Sequence, residues 1–208
     1  MTTRFHAVTQ TSADLGLKNT DNLRTNSYVY TKISEEFHEL HEEILVQQGF
    51  LNQPQGKDGI FGEAMDLLIS AIDLFALNTK NDKTPTEVET LLFKHISHKL
   101  DKNVESLDDL LTYLNLEHIG KDASFNMLSM TMNKVCVGYQ IDDGISYKKQ
   151  EKSVFLDNIA QLCIDSLAVY VSYTKTPPQD QVYEIVNIIV SKTNKWRKNR
   201  GLTQFKVK

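Results

Sequence analysis

Four carboxylates occur as two pairs with helical spacing. Glu36 and Glu39 stand three residues apart in the segment EEFHELHEEIL, and Glu63 and Asp66 repeat that spacing about two dozen residues later. Residues three apart share one face of a helix, so each pair offers two carboxylates in one direction. Two such helices packed side by side would bring four acids together. An all-oxygen set of this kind suits Mg²⁺ or Mn²⁺ rather than zinc.

The surroundings of the second pair are almost entirely apolar. Between Phe61 and Leu77 the polar residues follow one another at spacings of three, four and three; they are Glu63, Asp66, Ser70 and Asp73. Burying an ionised carboxylate costs several kcal/mol unless the charge is paired or bound to a metal. This helix has no lysine or arginine of its own, so a divalent cation is the expected partner. For the first pair, a solvated acidic face is the alternative.

The length and charge of the chain restrict its class. The chain has 208 residues and a formal net charge of −4, which suits one domain or two small halves. This balance predicts no nucleic-acid partner. No apolar run approaches the roughly 18–20 residues that span a bilayer, and no secretion signal begins the chain, so we expect a cytoplasmic protein with no membrane partner. The two cysteines, Cys136 and Cys163, lie in apolar helical patterns, which predicts free thiols.

Helical periodicity recurs along the chain, whereas strict alternation of apolar and polar residues does not. The pattern predicts an all-α helical bundle, with helices near 28–48, 61–79, 85–103, 105–117, 119–141, 152–174 and 179–199. The segment 47–62 holds four glycines and a proline and must be a loop. Residues 1–27 are polar and weakly patterned, which predicts an N-terminal arm.

Two stretches recur after nearly the same interval. SAIDLFALNTK, ending at Lys80, aligns with DSLAVYVSYTK, ending at Lys175, and HKLDKN aligns with NKWRKN, at offsets of 95 and 96 residues. These matches indicate a tandem duplication, with halves at 28–117 and 118–208 that pack their apolar faces into one bundle. At an offset of 95, the positions of the four acids are occupied by Thr131, Lys134, Asn158 and Gln161. The second half is therefore predicted to be degenerate.

The acidic pattern has a family resemblance. Glu35-Glu36-x-x-Glu39 followed by Glu63-x-x-Asp66 resembles the EExxE…ExxD signature of the all-α nucleoside triphosphate pyrophosphatases. That superfamily includes MazG-like enzymes, dimeric-type dUTPases and phosphoribosyl-ATP pyrophosphohydrolases. The motifs fall within roughly the first half of the chain, and the second half joins the resemblance only through the repeat.

The resemblance implies a fold, a reaction and a set of site residues. The fold would be a tandem-duplicated MazG-like pseudo-dimer, and such units commonly associate, so a homodimer of pseudo-dimers is implied as well. Mg²⁺, with Mn²⁺ as a substitute, would be held by Glu36, Glu39, Glu63 and Asp66. A metal-activated water would cleave a (d)NTP to a (d)NMP and pyrophosphate. Glu35 would help to orient the metal or the water, so Glu35, Glu36 and Glu39 form the implied catalytic group.

The strongest basic cluster is the C-terminal segment SKTNKWRKNRG. It resembles the basic helix end of dUTPase-like enzymes, where Lys, Asn and Arg hold phosphates, which implies Lys195, Asn199 and Arg200 as phosphate-binding residues. A cationic last turn that complements the helix dipole is the alternative. Asn22 and Asn26, which precede the acidic helix, are the candidates for substrate binding.

These observations together predict a Mg²⁺-dependent nucleoside triphosphate pyrophosphohydrolase. Two alternatives stay open. One is a pyrophosphohydrolase for a phosphoribosyl nucleotide or a regulatory nucleotide. The other is a non-catalytic helical interaction protein whose acid motif is vestigial.

Overall fold

The structure is a computed structural model that describes residues 5–17, 24–79 and 83–206, and the regular structure within these residues is entirely α-helical. Eight helices follow one another there: α1 (His6–Leu17), α2 (Asn26–Gln47), α3 (Gly59–Asn78), α4 (Pro85–Leu100), α5 (Leu107–Glu117), α6 (Lys121–Asp142), α7 (Lys152–Tyr173) and α8 (Pro178–Asn199). The all-α class is confirmed, and the seven predicted helices correspond to α2 to α8 within a few residues at each end.

The centre of the bundle consists of α3 and α7, which pack directly against each other. Both are apolar on nearly every side, and a helix of that kind is stable only when it is covered all round. Leu67 and Leu68 of α3 and Leu162 and Leu167 of α7 are fully buried. α2 covers α3 and α6 covers α7, while α4 packs on α7 and α8 packs on α3. Each half of the chain thus contributes a helix to the cover of the other half.

α2 and α6 run antiparallel beside each other. Asn26, at the start of α2, donates hydrogen bonds to Asp142 and Asp143 at the end of α6. Gln48, just past the end of α2, donates to Asp122 in the first turn of α6. Two stacked ring pairs join the helices between these points: Phe37 with Phe125, and Tyr30 with Tyr139. The two outer helices are therefore in contact along their length.

The helix bounds repeat with the interval found in the sequence. Adding 95 to the bounds of α2 (26–47) gives those of α6 (121–142). α3 and α7 end at Asn78 and Tyr173, which are again 95 positions apart. In both sets a long outer helix is followed by a central helix and then by a helix that covers the opposite half.

Residues 6–17 do not form the polar arm that the sequence predicts. They form α1, which packs on α3, α4 and α8. Phe5 and Val8 are fully buried, and the Phe5 ring stacks on Phe93 with the ring centroids 5.6 Å apart. The prediction of an arm is wrong here because a few apolar side chains are enough to anchor a short helix when a preformed groove receives them.

α7 is the one helix of the described residues with the length and hydropathy of a membrane span, although no uninterrupted apolar run of that length occurs in it. Its best 18-residue window has a mean hydropathy of 1.4, and 72% of that window is buried inside the fold. The central helix of a bundle requires the same burial. Cys163 on this helix is buried, Cys136 on α6 is half-buried, and both thiols are free as predicted.

Candidate metal centre

Three carboxylates meet between α2 and α3. Glu36 and Glu39 come from the middle of α2 and Glu63 from the second turn of α3, and one oxygen of each lies within 4.8 Å of the other two. The two helices form an antiparallel hairpin around the loop 48–58, so the middle of one faces the start of the other. Glu39 is exposed, while Glu36 and Glu63 are half-buried. The structure thus brings together three of the four acids that spacing predicts as neighbours.

Asp66, the fourth of these acids, is ion-paired with a lysine. Lys192 of α8 donates hydrogen bonds to Asp66 Oδ2 and, at 2.9 Å, to Asp58 Oδ2. Gly62 permits this arrangement, because a Cβ atom there would lie 2.5 Å from the Cβ of Asp58. A divalent cation was the expected partner of Asp66, and the structure shows that this aspartate has the lysine as a partner as well. Its own helix carries no cation, but α8 supplies one from 126 positions further along the chain.

The rest of the polar stripe on α3 is also neutralised. Asp73 pairs with Arg24, which donates a further hydrogen bond to Ser12 Oγ at 2.8 Å. Within the described residues, Glu63 is the acid of α3 that has no basic partner, and neither Glu36 nor Glu39 has one. The acids without a cation are thus the three that converge.

Crowding shifts the pKa values of these carboxyl groups. Burial, followed by the charges of Asp66 and Glu39, raises the pKa of Glu36 to about 7. Burial and the charge of Asp66 likewise raise the pKa of Glu63 to about 7. Burial also raises the pKa of Asp66, although the hydrogen bond from Lys192 opposes it. The cluster therefore holds protons at a pH where isolated carboxyl groups are fully ionised.

Lys192 stays charged in this environment. Burial by itself would lower its pKa, but the hydrogen bonds to Asp66 and Asp58 outweigh burial and raise the pKa above its ordinary value. The Lys192 hydrogen bond, with a smaller contribution from the charge of Lys195, in turn holds the pKa of Asp58 below its usual range. A fixed positive charge thus lies beside Asp66 and Asp58, and it partly offsets the rise in the pKa values of Glu36 and Glu63.

The donor set of the cluster is that of a hard cation. Its three oxygen ligands come from two helices that are packed together, and Mg²⁺ is bound in proteins by a few carboxylates at 2.0–2.1 Å together with water and substrate phosphates. Oxygens on opposite sides of such an ion are about 4 Å apart, and those of Glu36, Glu39 and Glu63 lie within 4.8 Å of one another. The residues therefore fit such an ion with small side-chain adjustments.

Other predicted site residues lie away from this cluster. Glu35 is exposed and pairs with Lys32 on its own helix. Asn26 stands ten positions before Glu36, roughly 15 Å along the helix axis, where it bonds to the end of α6. Asn22 lies outside the described residues, so its prediction has no structural counterpart.

The basic cluster is spread along α8. Lys195, Asn199 and Arg200 are all exposed, and Lys195 is the one whose charge reaches the acids. Among the described hydrogen bonds and ion pairs, none joins Asn199 or Arg200 to the carboxylates. Sequence reasoning missed Lys192 as a site residue. It stands three positions before Lys195 on the same helix face, and that spacing was the available signal.

Two of the matching positions of the second half, Thr131 and Gln161, take part in a hydrogen-bonded network around one carboxyl group. Asp165 of α7 is buried and accepts hydrogen bonds from Thr131 at 2.6 Å and from Gln161 at 2.8 Å. Burial raises the pKa of Asp165, against these two hydrogen bonds. Lys134 is exposed and Asn158 is half-buried. In the part of the chain that the structure describes, no second group of potential metal ligands converges.

Comparison with known proteins does not help to assign a function to this site. The carboxylates with their sequence motif, and Lys192 beside them, are the features that bear on function. Comparison of the chain with protein-family models, curated proteins and solved structures found no match.

Proposed function

We propose that this protein is a divalent-metal-dependent nucleoside triphosphate pyrophosphohydrolase, which converts a (d)NTP and water to a (d)NMP and pyrophosphate. The observation that carries the proposal is the convergence of three unpaired carboxylates, from Glu36, Glu39 and Glu63, beside the ammonium group of Lys192. Acids for a metal and a cation for a phosphate are the two components that phosphoryl chemistry requires.

The metal would be held by Glu36, Glu39 and Glu63, with Asp66 as the neighbouring fourth carboxylate. Raised pKa values at Glu36 and Glu63 support this assignment, because they reflect burial first and then charge repulsion, and a divalent cation would offset both. When bound, Mg²⁺ or Mn²⁺ supplies charge neutralisation and lowers the pKa of a coordinated water.

Lys192 replaces the predicted phosphate contacts in this proposal. It is buried beside the acids, whereas Lys195, Asn199 and Arg200 are exposed further along α8. Its ammonium group donates to two carboxylates and offers the same hydrogen bonds to phosphate oxygens. Within this reading Lys192 orients the triphosphate and offsets its charge, and Lys195 adds a weaker attraction at the rim.

The repeated helix bounds support the finer fold assignment, a tandem-duplicated MazG-like pseudo-dimer. In this reading residues 28–117 form the acidic half and 118–208 the degenerate half. The Thr131–Asp165–Gln161 network, which holds one carboxyl group and no converging set of acids, then marks where the second acidic site was lost. Association of two chains as a homodimer and a cytoplasmic location stay predictions.

A nucleotide panel tests the proposed activity. Pyrophosphate release would be measured with standard and modified (d)NTPs in the presence of Mg²⁺ or Mn²⁺, and products identified by chromatography. We expect release with at least one nucleotide, none in excess chelator, and a loss of at least about 100-fold in Glu63→Gln. Glu42→Gln makes the same change at an exposed position of α2 and should retain activity.

Each alternative has its own outcome in this panel. Cleavage confined to phosphoribosyl or regulatory nucleotides would assign the narrower substrate class. If no nucleotide is cleaved with either metal, the non-catalytic helical interaction protein is the remaining hypothesis. Hydrolysis in ¹⁸O-labelled water then shows whether the α- or the β-phosphorus takes up the water oxygen.

A further inference from the structure

A cleft of about 510 Å³ lies at one end of the bundle, away from the three carboxylates. Its walls are Gln47 and Gln48 at the end of α2, residues 120–123 at the start of α6, and Tyr173 at the end of α7. Gln47 stands eight positions beyond Glu39, roughly 12 Å along α2. The cleft is therefore separate from the proposed metal centre.

The first turn of α6 opens into this cleft without a cap. Gly120 stands at the N-cap position, and within the described residues the helix has no side-chain cap hydrogen bond. The first bond within the helix runs from Ser124 N to Gly120 O at 2.9 Å. The N–H groups of Lys121, Asp122 and Ala123 therefore have no helical partner. Such a turn attracts anions, because unpaired N–H groups coincide with the positive end of the helix dipole.

Tyr173 provides a second, independent indication of a ligand. The residue is 6% exposed, and its hydroxyl is buried with no hydrogen-bond partner among the described residues. A buried hydroxyl without a partner is costly and is therefore rare. The Lys121 ammonium group lies 4.8 Å from the centre of the Tyr173 ring. Burial, and then the charge of Asp122, raises the pKa of Tyr173, so the phenol keeps its proton and acts as a donor.

At the opposite end of the bundle the start of α2 meets the end of α6, and side-chain hydrogen bonds close this equivalent junction. There Thr25 caps α2 by accepting a hydrogen bond from Tyr28 N. Asn26 bonds to the end of α6 and accepts a hydrogen bond from Asn78 of α3 at 2.7 Å. Lys152 donates hydrogen bonds to both Asn78 and Asp142. An open, uncapped junction is thus not a necessary result of how these helices pair.

We propose that the cleft at the start of α6 is a binding site for a small oxyanion, the phosphate or carboxylate group of a metabolite. The anion would accept hydrogen bonds from the first-turn N–H groups and from the Tyr173 hydroxyl, and the flexible Lys121 side chain would swing from the ring to pair with it. The volume of the cleft suits a body up to the size of a mononucleotide. Asp122 lies beside the anion but is held by the Gln48 amide at 3.2 Å.

Substitution of Gly120 gives the sharpest test. A Cβ atom at Gly120 would meet nothing within 4 Å, and the residue has a φ of −70°, so both serine and alanine fit. Serine adds a hydroxyl that caps the helix and competes with the anion, whereas alanine adds no acceptor. We expect Gly120→Ser to raise the Tm and to weaken phosphate binding at least about fivefold, and Gly120→Ala to keep wild-type binding.

Binding would be measured on the metal-free protein from the backbone amide resonances of residues 120–124. Inorganic phosphate is the first probe, and AMP and citrate distinguish a phosphate from a carboxylate ligand. We expect Tyr173→Phe and Lys121→Gln to weaken binding several-fold. Tyr173→Phe should not lower the Tm, since its hydroxyl has no partner to lose. Lys148→Gln changes an exposed lysine outside the cleft and is the matched control.

Two results would overturn the proposal. One is the absence of shifts at these amides with all three probes at concentrations up to tens of millimolar. The other is binding that neither Gly120→Ser nor Tyr173→Phe weakens. Neither measurement uses a metal or a nucleoside triphosphate, so the outcome is independent of the proposed pyrophosphohydrolase activity.

Discussion

Lys192 of α8 is ion-paired with Asp66 of α3, although 126 positions separate the two residues in the chain. The lysine side chain is 11% exposed and the aspartate 21%, so water screens the pair only in part. Lys192 holds Asp58 as well. In the described residues Lys192 is the cation that forms hydrogen bonds next to the converging acids, and it connects the first turns of α3 to α8.

Removal of this cation should destabilise the metal-free protein. We expect Lys192→Gln to lower the free energy of unfolding by about 1–3 kcal/mol, because Asp66 and its acidic neighbours lose their counter-charge. Mg²⁺ should restore part of this loss by binding the native state. Denaturant unfolding with and without Mg²⁺ measures both effects. Lys195→Gln, at an exposed position of the same helix, should stay within about 0.5 kcal/mol of wild type.

A double-variant cycle separates the ion pair from other effects of the lysine. Asp66→Asn and Lys192→Gln should each destabilise the metal-free protein, and the double variant should lose less than the sum of the two. Additive losses would show that the two residues act independently, and would contradict the charge-balancing role.

The stability of the metal-free protein should fall as the pH rises. The pKa values of Glu36 and Glu63 are raised from 4.5 to about 7 in the fold. Between those two values the folded protein binds protons that the unfolded chain has released, so rising pH favours unfolding through this window. Above about pH 7 the contribution is fully lost. Thermal unfolding from pH 4.5 to 8 should show the Tm decline.

Variants and metal identify the source of that decline. The double variant Glu36→Gln/Glu63→Gln should flatten the dependence of the Tm on pH. Glu42→Gln, at an exposed position of α2, should leave that dependence unchanged. Saturating Mg²⁺ should reduce the slope in the wild type because the ionised carboxylates then have a cation. A slope that survives in the double variant would assign the pH dependence to other groups.

The second half should be structural. Thr131→Val leaves the buried Asp165 with one hydrogen bond fewer, which should cost about 1–2 kcal/mol of stability. Stabilisation by Mg²⁺, measured as the rise in Tm, should be the same as in the wild type. Glu63→Gln should show the reverse pattern: its metal-free stability should change little, and Mg²⁺ should raise its Tm much less than that of the wild type. A reduced rise in Thr131→Val would place a metal ligand in the second half.

α1 should contribute to global stability rather than act as a detachable arm. Phe5→Ala removes a fully buried ring that stacks on Phe93 and should cost about 3–5 kcal/mol. Phe50→Ala removes the same ring from a position that is 75% exposed, and should change stability by less than about 1 kcal/mol. Stability would be measured by urea unfolding. If Phe5→Ala and Phe50→Ala cause equally small losses of stability, α1 is only loosely attached.

Sequence periodicity was sufficient for the class of fold and the bounds of most helices. An apolar stripe such as that of α3 is a local property, repeated every three or four residues, and it signals both the helix and its burial. The glycine-rich segment 47–62 was predicted as a loop, and residues 48–58 form one, but the prediction was wrong from Gly59 onward, where α3 begins. α1 was missed because Phe5, Ala7 and Val8 make too short an apolar pattern, and only the groove that receives them gives the helix its stability.

The candidate site was likewise predictable from the sequence only in part. Spacing within each helix determined that Glu36 and Glu39, and Glu63 and Asp66, share a face, because that geometry depends on residues three apart. Which of these acids converge, and which is neutralised, was decided by tertiary structure. The ammonium group beside Asp66 comes from α8, and Tyr173, which lines the cleft at the start of α6, comes from α7. Such contacts depend on the packing of distant helices, and a local pattern, such as the spacing of Lys192 and Lys195, shows only which residues share a helix face.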